Sequence, residues 1–238
     1  MASSRLVALT LVGLDGDDTL WHSEAQYAVT YRQFAELLEP WLQGRDADEL
    51  LLQTETRNLR LFGYGIKGFT LSMIETAIEV SGGKVSAAEI QRILDWGKAM
   101  LTHPVELLDG VRETVEMLAD RYRLILVTKG DLFNQETKLA ESGLGELFWR
   151  IEIVSEKDEA TYRRILARHG VAPEEFVMVG NSVRSDVLPV ISIGARAVHV
   201  PYHVTWALEA GEPPTAHDGY WSIDRFPDVP ELLATFEQ

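Results

Sequence analysis

The sequence contains no cysteine among its 238 residues. This absence excludes disulfide scaffolds, zinc sites built on thiolates and cysteine nucleophiles. We expect surface or packing roles for the six histidines, although His199 and His203 have the H-x-x-x-H spacing of some metal-ligand pairs. A chain without cysteine fits a reducing compartment, and we predict a cytoplasmic location.

The sequence also lacks long basic runs and long apolar runs. Its 37 acidic and 22 basic residues give a net charge of -15, and no basic run could follow a nucleic-acid backbone, so we predict no nucleic-acid partner. No segment approaches the ~20 apolar residues of a membrane span, so we predict no membrane association. The apolar stretch 6–14 is short and lacks a signal-peptide cleavage pattern, which favours a buried strand.

Short apolar runs recur along the chain and predict the strands of a parallel sheet. They lie at 6–14, 123–127, 176–179 and 195–200, with a weaker run at 149–154. Amphipathic stretches lie between the later runs, for example Tyr162, Ile165, Leu166 and His169 at helical spacing. This alternation predicts an α/β fold with a doubly wound, Rossmann-like parallel sheet.

Residues 22–103 contain no convincing strand and several successive helical patterns. Tyr27, Tyr31, Phe34 and Leu38 form one apolar stripe, and Met73, Ile74, Ala77 and Ile78 form another. Ser86 and Glu89 have the spacing of a capping box. We therefore predict an α/β core domain at 1–21 and 104–238, with an all-helical domain at 22–103 inserted into it.

The first predicted strand ends in Asp15-Gly16-Asp17, two carboxylates at the sheet edge where open α/β sheets bind ligands. Phosphoryl transfer to a carboxylate needs a nucleophile in line and an acid that protonates the departing alkoxide, and Asp15 and Asp17 can divide these tasks. Alternatively, Asp15-Gly16 is a hairpin turn, although the residues after it do not alternate as a strand.

Two further polar groups follow predicted strands. Thr128-Lys129-Gly130 offers a hydroxyl and backbone N–H groups to phosphate oxygens, although a threonine before glycine is also ordinary turn chemistry. Lys157 opens a predicted helix, where its ammonium could neutralise charge shared by a nucleophile and a phosphate. Alternatively, Lys157 merely solvates a surface.

The last polar group is Gly180-Asn181-Ser182, with Asp186 one helical turn later. Mg²⁺ prefers about six oxygen ligands, several of them water, and Asp15, the Asp17 backbone carbonyl and Asp186 would serve. Alternatively, Asn181 and Ser182 cap the next helix.

These four groups occur in this order, and each closes or follows a predicted strand of one sheet. In combination they resemble the haloacid dehalogenase superfamily, whose four motifs are matched by Asp15-Gly16-Asp17-Asp18-Thr19, by Thr128, by Lys157, and by Gly180-Asn181-Ser182 with Asp186. The resemblance covers the chain end to end, because the helical insertion looks like that family's first type of cap domain.

The resemblance implies a magnesium-dependent phosphatase that hydrolyses small organic phosphate monoesters through an aspartyl-phosphate intermediate. The implied site comprises the nucleophile and metal ligand Asp15, the general acid and base Asp17, the phosphate-holding Thr128 and Lys157, and the metal ligand Asp186. We include Gly16, Lys129 and Gly130 among the predicted substrate-binding residues. We expect a monomer or a small homo-oligomer.

Two positions bear on the reaction type. Many members of the superfamily carry an acidic residue where this chain has Asn181, so Asn181 could bind magnesium directly or through water. Asp17 favours phosphate chemistry, because the dehalogenase branch, which attacks carbon, typically lacks the second carboxylate. The alternatives are a phosphomutase of the same superfamily and a non-catalytic binding or regulatory protein.

Gly63-Tyr64-Gly65-Ile66-Lys67-Gly68 matches the dinucleotide-binding pattern G-x-G-x-x-G. That mechanism needs a preceding buried strand, whereas residues 56–60 are polar and helical in character. We therefore predict a loop of the helical domain, in which Tyr64 and Lys67 either contact the leaving group of the substrate or are purely structural.

Overall fold

The computed structural model describes residues 8–215 and 217–236. The strands found there are β1 (Leu11–Leu14), β2 (Arg123–Lys129), β3 (Arg150–Val154), β4 (Phe176–Gly180), β5 (Arg196–His199) and β6 (Tyr220–Ser222). They form one sheet in the order β3-β2-β1-β4-β5-β6, in which β1 is parallel to both β2 and β4. The pairs β4–β5 and β5–β6 are also parallel. The predicted α/β class is confirmed.

The helices are α1 (Glu24–Leu42), α2 (Ala47–Phe62), α3 (Ile66–Ser81), α4 (Ala87–Leu101), α5 (Val111–Ala119), α6 (Leu132–Ser142), α7 (Glu159–His169), α8 (Leu188–Ser192) and α9 (Val229–Thr235). A π-helix, Val183–Val187, leads directly into α8. Within the described residues, no helix combines the length and the apolar character that a bilayer crossing requires.

Both faces of the sheet are buried, because alternate side chains of each central strand enter different cores. Val12 and Leu14 of β1 belong to one apolar cluster with Val177 and Val179 of β4. Leu11 belongs to the other cluster, on the opposite face. Strands buried on both faces give near-continuous apolar runs, which is why these strands could be predicted from sequence.

The observed strands differ most from the predicted runs at two places, and the ends of β2 to β5 differ from their runs by one or two residues. The first strand is shorter than the run 6–14, of which residues 6 and 7 lie outside the described residues. Strand β6 was not predicted, since it has only three residues and its side chains are half-buried or exposed. A short edge strand of this kind carries little apolar periodicity.

The chain divides into two compact units. One comprises the described residues up to Glu24, Val105–Thr128 and the described residues from Glu136 onward, and it contains the sheet except for Lys129 at the end of β2. The other comprises Ala25–Pro104 and Lys129–Gln135, and it contains most of the residues of α1 to α4. The exact domain limits at 21, 22, 103 and 104 stay a prediction.

The helical unit has its own apolar core. Phe34 and Leu38 of α1 are buried there with Met73 of α3. The capping box of Ser86 and Glu89 opens α4 as predicted. The second apolar stripe was partly wrong, because Ile78 is 46% exposed.

Gly13, in the middle of β1, is a position where only a hydrogen fits. A Cβ there would lie 2.8 Å from Cζ of Phe176 and 2.9 Å from Sδ of Met178. Gly13→Ala should therefore overpack the core and lower the free energy of unfolding by about 1–3 kcal/mol, seen as a lower Tm. Gly145→Ala is the control, because its Cβ would approach only Cγ of Leu139, at 4.0 Å. Equal Tm values for the two variants would contradict this account.

Candidate active site

The site begins where β1 ends. Asp15 follows the strand directly, and its N–H donates to the carbonyl of Val179 on β4 (2.9 Å). The carbonyl of Gly16 then accepts the N–H of Leu20 (2.8 Å), which turns the chain tightly within the residues that carry Asp17. Both hydrogen-bonded neighbours of β1 are parallel strands from later in the chain, so the hairpin alternative for Asp15-Gly16 is wrong.

Two charged side chains from distant parts of the chain meet beside Asp15. Nζ of Lys157 lies 2.5 Å from Oδ1 of Asp15 and 2.7 Å from Oδ1 of Asp186. The side chains of Lys157, Asp15 and Asp186 are 2%, 10% and 0% exposed, respectively. One ammonium therefore joins two buried carboxylates, and Lys157 does not lie on a solvated surface.

This buried cluster carries one more negative charge than positive charge. Burial, and next the charge of Asp186, raise the pKa of Asp15 to about 7, although Lys157 opposes this shift. Burial alone would lower the pKa of the Lys157 ammonium, but Asp15 and Asp186 outweigh that effect and raise it. Lys157 is therefore protonated, and its single positive charge does not compensate both carboxylates.

Asp186 is positioned by the π-helix Val183–Val187, a rare helix type that is frequent at functional sites. The Ser182 N–H donates to Oδ2 of Asp186 (3.0 Å), and the Ser182 hydroxyl accepts the N–H of Ser185 (3.1 Å). The capping alternative is thus correct for Ser182. Gly180 allows the close approach of β4 to this helix, because a Cβ on Gly180 would lie 2.8 Å from Cβ of Asp186.

Lys157 lies between β3 and α7. Asp158 caps α7 by accepting the N–H of Thr161 (2.8 Å), which fixes the residue directly after Lys157. The buried hydroxyl of Tyr162 donates to the carbonyl of Ser185 (3.0 Å). That bond connects α7 to the π-helix, so the backbone segments that carry Lys157 and Asp186 are held next to each other.

The second carboxylate, Asp17, is held by two donors that both reach Oδ1. One is Nζ of Lys138 on α6 (2.6 Å), and the other is Nε1 of Trp21 (2.8 Å). The side chain of Asp17 is 33% exposed, whereas that of Lys138 is only 16% exposed. Asp17 therefore lies nearer to solvent than Asp15 does.

Lys138 was not identified from the sequence, although a signal exists. Gln135, Leu139 and Ser142 are buried on α6, and Lys138 lies on the same side of the helix by spacing. A lysine on the buried side of a helix needs a partner, because burying an unpaired charge is costly.

Asp18, the neighbour of Asp17, has a structural role. Its carboxylate accepts the backbone N–H groups of Ser23 (2.8 Å) and Glu24 (3.1 Å) at the start of α1. Burial, and next the charge of Asp17, raise its pKa to about 7. Its positive φ of 60° completes the tight turn after β1.

Thr128 and Asn181 lie at the same edge of the sheet. Thr128 is 1% exposed near the end of β2, and a methyl group on Gly16 would lie 3.4 Å from its hydroxyl oxygen. Oδ1 of Asn181 accepts a long hydrogen bond from the Thr19 hydroxyl (3.4 Å). The backbone carbonyl of Asn181 accepts from Nε2 of His199 (3.0 Å). The structure thus brings both residues to the loop that carries Asp17.

Four further predicted substrate-binding residues, Tyr64, Lys67, Lys129 and Gly130, belong to the helical unit. Nζ of Lys129 lies 4.0 Å from the ring centroid of Tyr64. Nζ of Lys67 lies 2.8 Å from Oδ1 of Asp131, and this hydrogen bond lowers the pKa of Asp131. Gly130 lies in the same segment, with a positive φ of 126°. The substrate-binding roles of these residues stay predictions.

The G-x-G-x-x-G segment follows a helix and not a strand, since α2 ends at Phe62. Gly63 and Gly65 have positive φ values of 72° and 105°, so they serve the turn between α2 and α3. Because a helix precedes the segment, the structural requirement for dinucleotide binding, a preceding strand, is not met.

The oxygen atoms at this edge of the sheet fit a hard divalent cation. The carboxylates of Asp15 and Asp186 lie beside Lys157, and the excess negative charge would be offset by a cation. No group of three or more histidine, aspartate or glutamate side chains could hold a metal ion in residues 8–215 and 217–236. A metal here would thus need backbone, amide or water oxygens as well, which is the usual manner of Mg²⁺.

Two proteins are similar to this chain over much or most of its length. Mouse (Mus musculus) N-acylneuraminate-9-phosphatase is 25% identical over 149 residues, which cover 60% of this chain and 57% of that relative. A haloacid dehalogenase-like family hydrolase from Xanthomonas campestris is 46% identical, with a TM-score of 0.85 and coverage of 96% of this chain and 92% of the other.

A third relative, L-2-haloacid dehalogenase from Xanthobacter autotrophicus, is 15% identical, with a TM-score of 0.64 and coverage of 95% and 99%. At this identity the likeness shows the fold alone. The fold is therefore common to this chain and to a dehalogenase, so the fold alone does not distinguish dehalogenation from phosphate ester hydrolysis. The side chains of the site must decide the chemistry.

A family model described as haloacid dehalogenase-like hydrolase matches residues 9–194. The match runs from the beginning of the sheet through the π-helix that carries Asp186, and it covers well over half of the chain. The chain therefore belongs to the haloacid dehalogenase-like hydrolase family.

Proposed function

We propose that the chain is a magnesium-dependent phosphatase that hydrolyses small organic phosphate monoesters through an aspartyl-phosphate intermediate on Asp15. The observation that carries the proposal is the buried contact of Lys157 with both Asp15 and Asp186. A carboxylate held this way is fixed in orientation, and it lies beside a permanent positive charge that can stabilise a phosphoryl group.

In the first step, an oxygen of the Asp15 carboxylate attacks phosphorus while the bond from phosphorus to the ester oxygen breaks. Asp17, in its protonated form, donates its proton to the departing alkoxide, so the alcohol leaves neutral. The Thr128 hydroxyl and nearby backbone N–H groups would hold phosphate oxygens. The products of this step are an acyl phosphate on Asp15 and a carboxylate on Asp17.

In the second step, the Asp17 carboxylate takes a proton from water, and the resulting hydroxide attacks phosphorus. The bond from phosphorus to Asp15 breaks, which releases inorganic phosphate and restores both side chains. Asp17 is better placed than Asp15 to meet water, because its side chain is 33% exposed against 10% for Asp15.

Magnesium, when bound, would polarise phosphate oxygens and offset their charge. The residues proposed to hold it are Asp15, Asp186, the backbone carbonyl of Asp17 and, directly or through water, Asn181. The raised pKa of Asp15, to about 7, supports this assignment, because a cation beside the carboxylates would favour their charged forms.

The second carboxylate distinguishes the proposed reaction from dehalogenation. A halide leaves without a proton, whereas an alkoxide needs one, so a positioned acid serves phosphate ester cleavage. The relative N-acylneuraminate-9-phosphatase also supports a phosphatase, although the match spans 57% of its length. The substrate class proposed for this chain is therefore a small phosphorylated metabolite.

The roles of the two acids can be separated with aryl phosphates. Asp15→Asn should reduce phosphate release from 4-nitrophenyl phosphate to background, because no nucleophile remains. Asp17→Asn should slow turnover by about 10²–10⁴-fold and should accumulate an acid-stable ³²P label on the protein with a labelled aryl phosphate. That label should be missing in Asp15→Asn.

The matched control for these variants is Asp95→Asn, whose side chain is 59% exposed on α4. It should release phosphate at the wild-type rate. Wild-type turnover by purified Asp15→Asn would contradict the proposed mechanism. Transfer of the phosphoryl group to a sugar, with no free phosphate, would instead identify a phosphomutase.

Magnesium binding can be measured without turnover. A concentration about ten times the Kd should stabilise the wild type by about 1.4 kcal/mol, or a Tm rise of about 3–6 °C. Asp186→Asn should strongly reduce this rise, because it removes the negative charge of a buried ligand, whereas Asp95→Asn should keep it. An unchanged wild-type Tm at high magnesium, together with full activity in chelator, would exclude the metal.

A further inference from the structure

We propose that Lys138 is a positioning residue that, together with Trp21, orients the Asp17 carboxylate for proton transfer. This inference rests on the proposed function and deepens it, because it assigns a residue outside the four motifs to the acid–base step. Its basis is the pair of donors on one carboxylate oxygen: Nζ of Lys138 at 2.6 Å and Nε1 of Trp21 at 2.8 Å from Oδ1 of Asp17.

The two donors restrict an otherwise exposed side chain. Asp17 is 33% exposed and lies in the tight turn after β1, where a free carboxylate could adopt several rotamers. Trp21 is 1% exposed, so its indole is a rigid anchor. Two donors on Oδ1 restrict the rotamers of the Asp17 side chain, which helps a proton donor to meet the leaving oxygen.

Lys138 is itself held by its surroundings. Its side chain is 16% exposed on α6, whose neighbouring residues Leu139 and Ser142 are buried. A lysine that gives up most of its water must have a charged partner, and Asp17 is that partner. The sheet-containing unit thus pairs each of its two proposed reacting carboxylates with its own ammonium: Lys157 for Asp15 and Lys138 for Asp17.

A positioning role predicts a dependence on the leaving group. An alkyl phosphate needs protonation of its leaving oxygen, whereas 4-nitrophenolate departs without it. Lys138→Met should therefore lower kcat/KM for an alkyl phosphate by about 10- to 100-fold, and by a much smaller factor for 4-nitrophenyl phosphate. Lys138→Arg should restore most of the alkyl phosphate activity, because guanidinium also donates to a carboxylate.

The alternative is that Lys138 only attracts the phosphate dianion or supports the fold. Either role would lower kcat/KM for both substrates by the same factor, and such a result would overturn the inference, as would wild-type kinetics in Lys138→Met. Lys84→Met, at an exposed lysine, is the control and should leave both values unchanged. Lys138→Gln should give an intermediate selective loss, and it serves as the second variant if Lys138→Met does not fold.

The same experiment separates this inference from the proposed function. A wild type that hydrolyses neither phosphate with magnesium present would refute the phosphatase itself, and with it the role of Lys138. An active wild type whose Lys138→Met variant loses both substrates equally would refute only the positioning role. A selective loss for the alkyl phosphate, with Tm within the range of Lys84→Met, would establish it.

Discussion

A single ammonium shared by two buried carboxylates is the interaction that the site depends on. Lys157 can reach both Asp15 and Asp186 only if β1 and β4 end at the edge of the sheet where α7 begins. Removing Lys157 would leave two carboxylates unpaired in a place with almost no water, which is strongly unfavourable. The same arrangement leaves one negative charge uncompensated, which a bound cation of the kind proposed above would neutralise.

Much of this could be predicted from the order of residues alone. Strands buried on both faces appear as apolar runs, and the residue directly after such a run must lie at the sheet edge. The apolar runs located Asp15 and Thr128, Lys157 and Asp186 were chosen from the segments after the later runs, and the family resemblance joined all four into one site. The structure brings Asp15, Lys157 and Asp186 into direct contact, while their chemical roles are proposals.

What escaped prediction has a common physical cause: it depends on side chains reaching across the fold and not on local periodicity. Lys138 is 121 positions from Asp17 in sequence, so no motif joins them. Strand β6 owes its existence to pairing with β5, since three half-buried residues carry almost no pattern of their own. The π-helix likewise escaped prediction, because the spacing of Ser182 and Asp186 indicates only that they lie one helical turn apart and not which type of helix joins them.

The segment Lys129–Gln135 groups with the helical unit although it directly follows Thr128 of the sheet. Lys129 contacts the ring of Tyr64, and Asp131 binds Lys67. The helical unit is therefore encoded by two separate stretches of chain. A chimaera that exchanged residues 25–104 alone would replace Tyr64 and Lys67, which contact Lys129 and Asp131, so recombination between relatives should preserve this unit best when both stretches are inherited together.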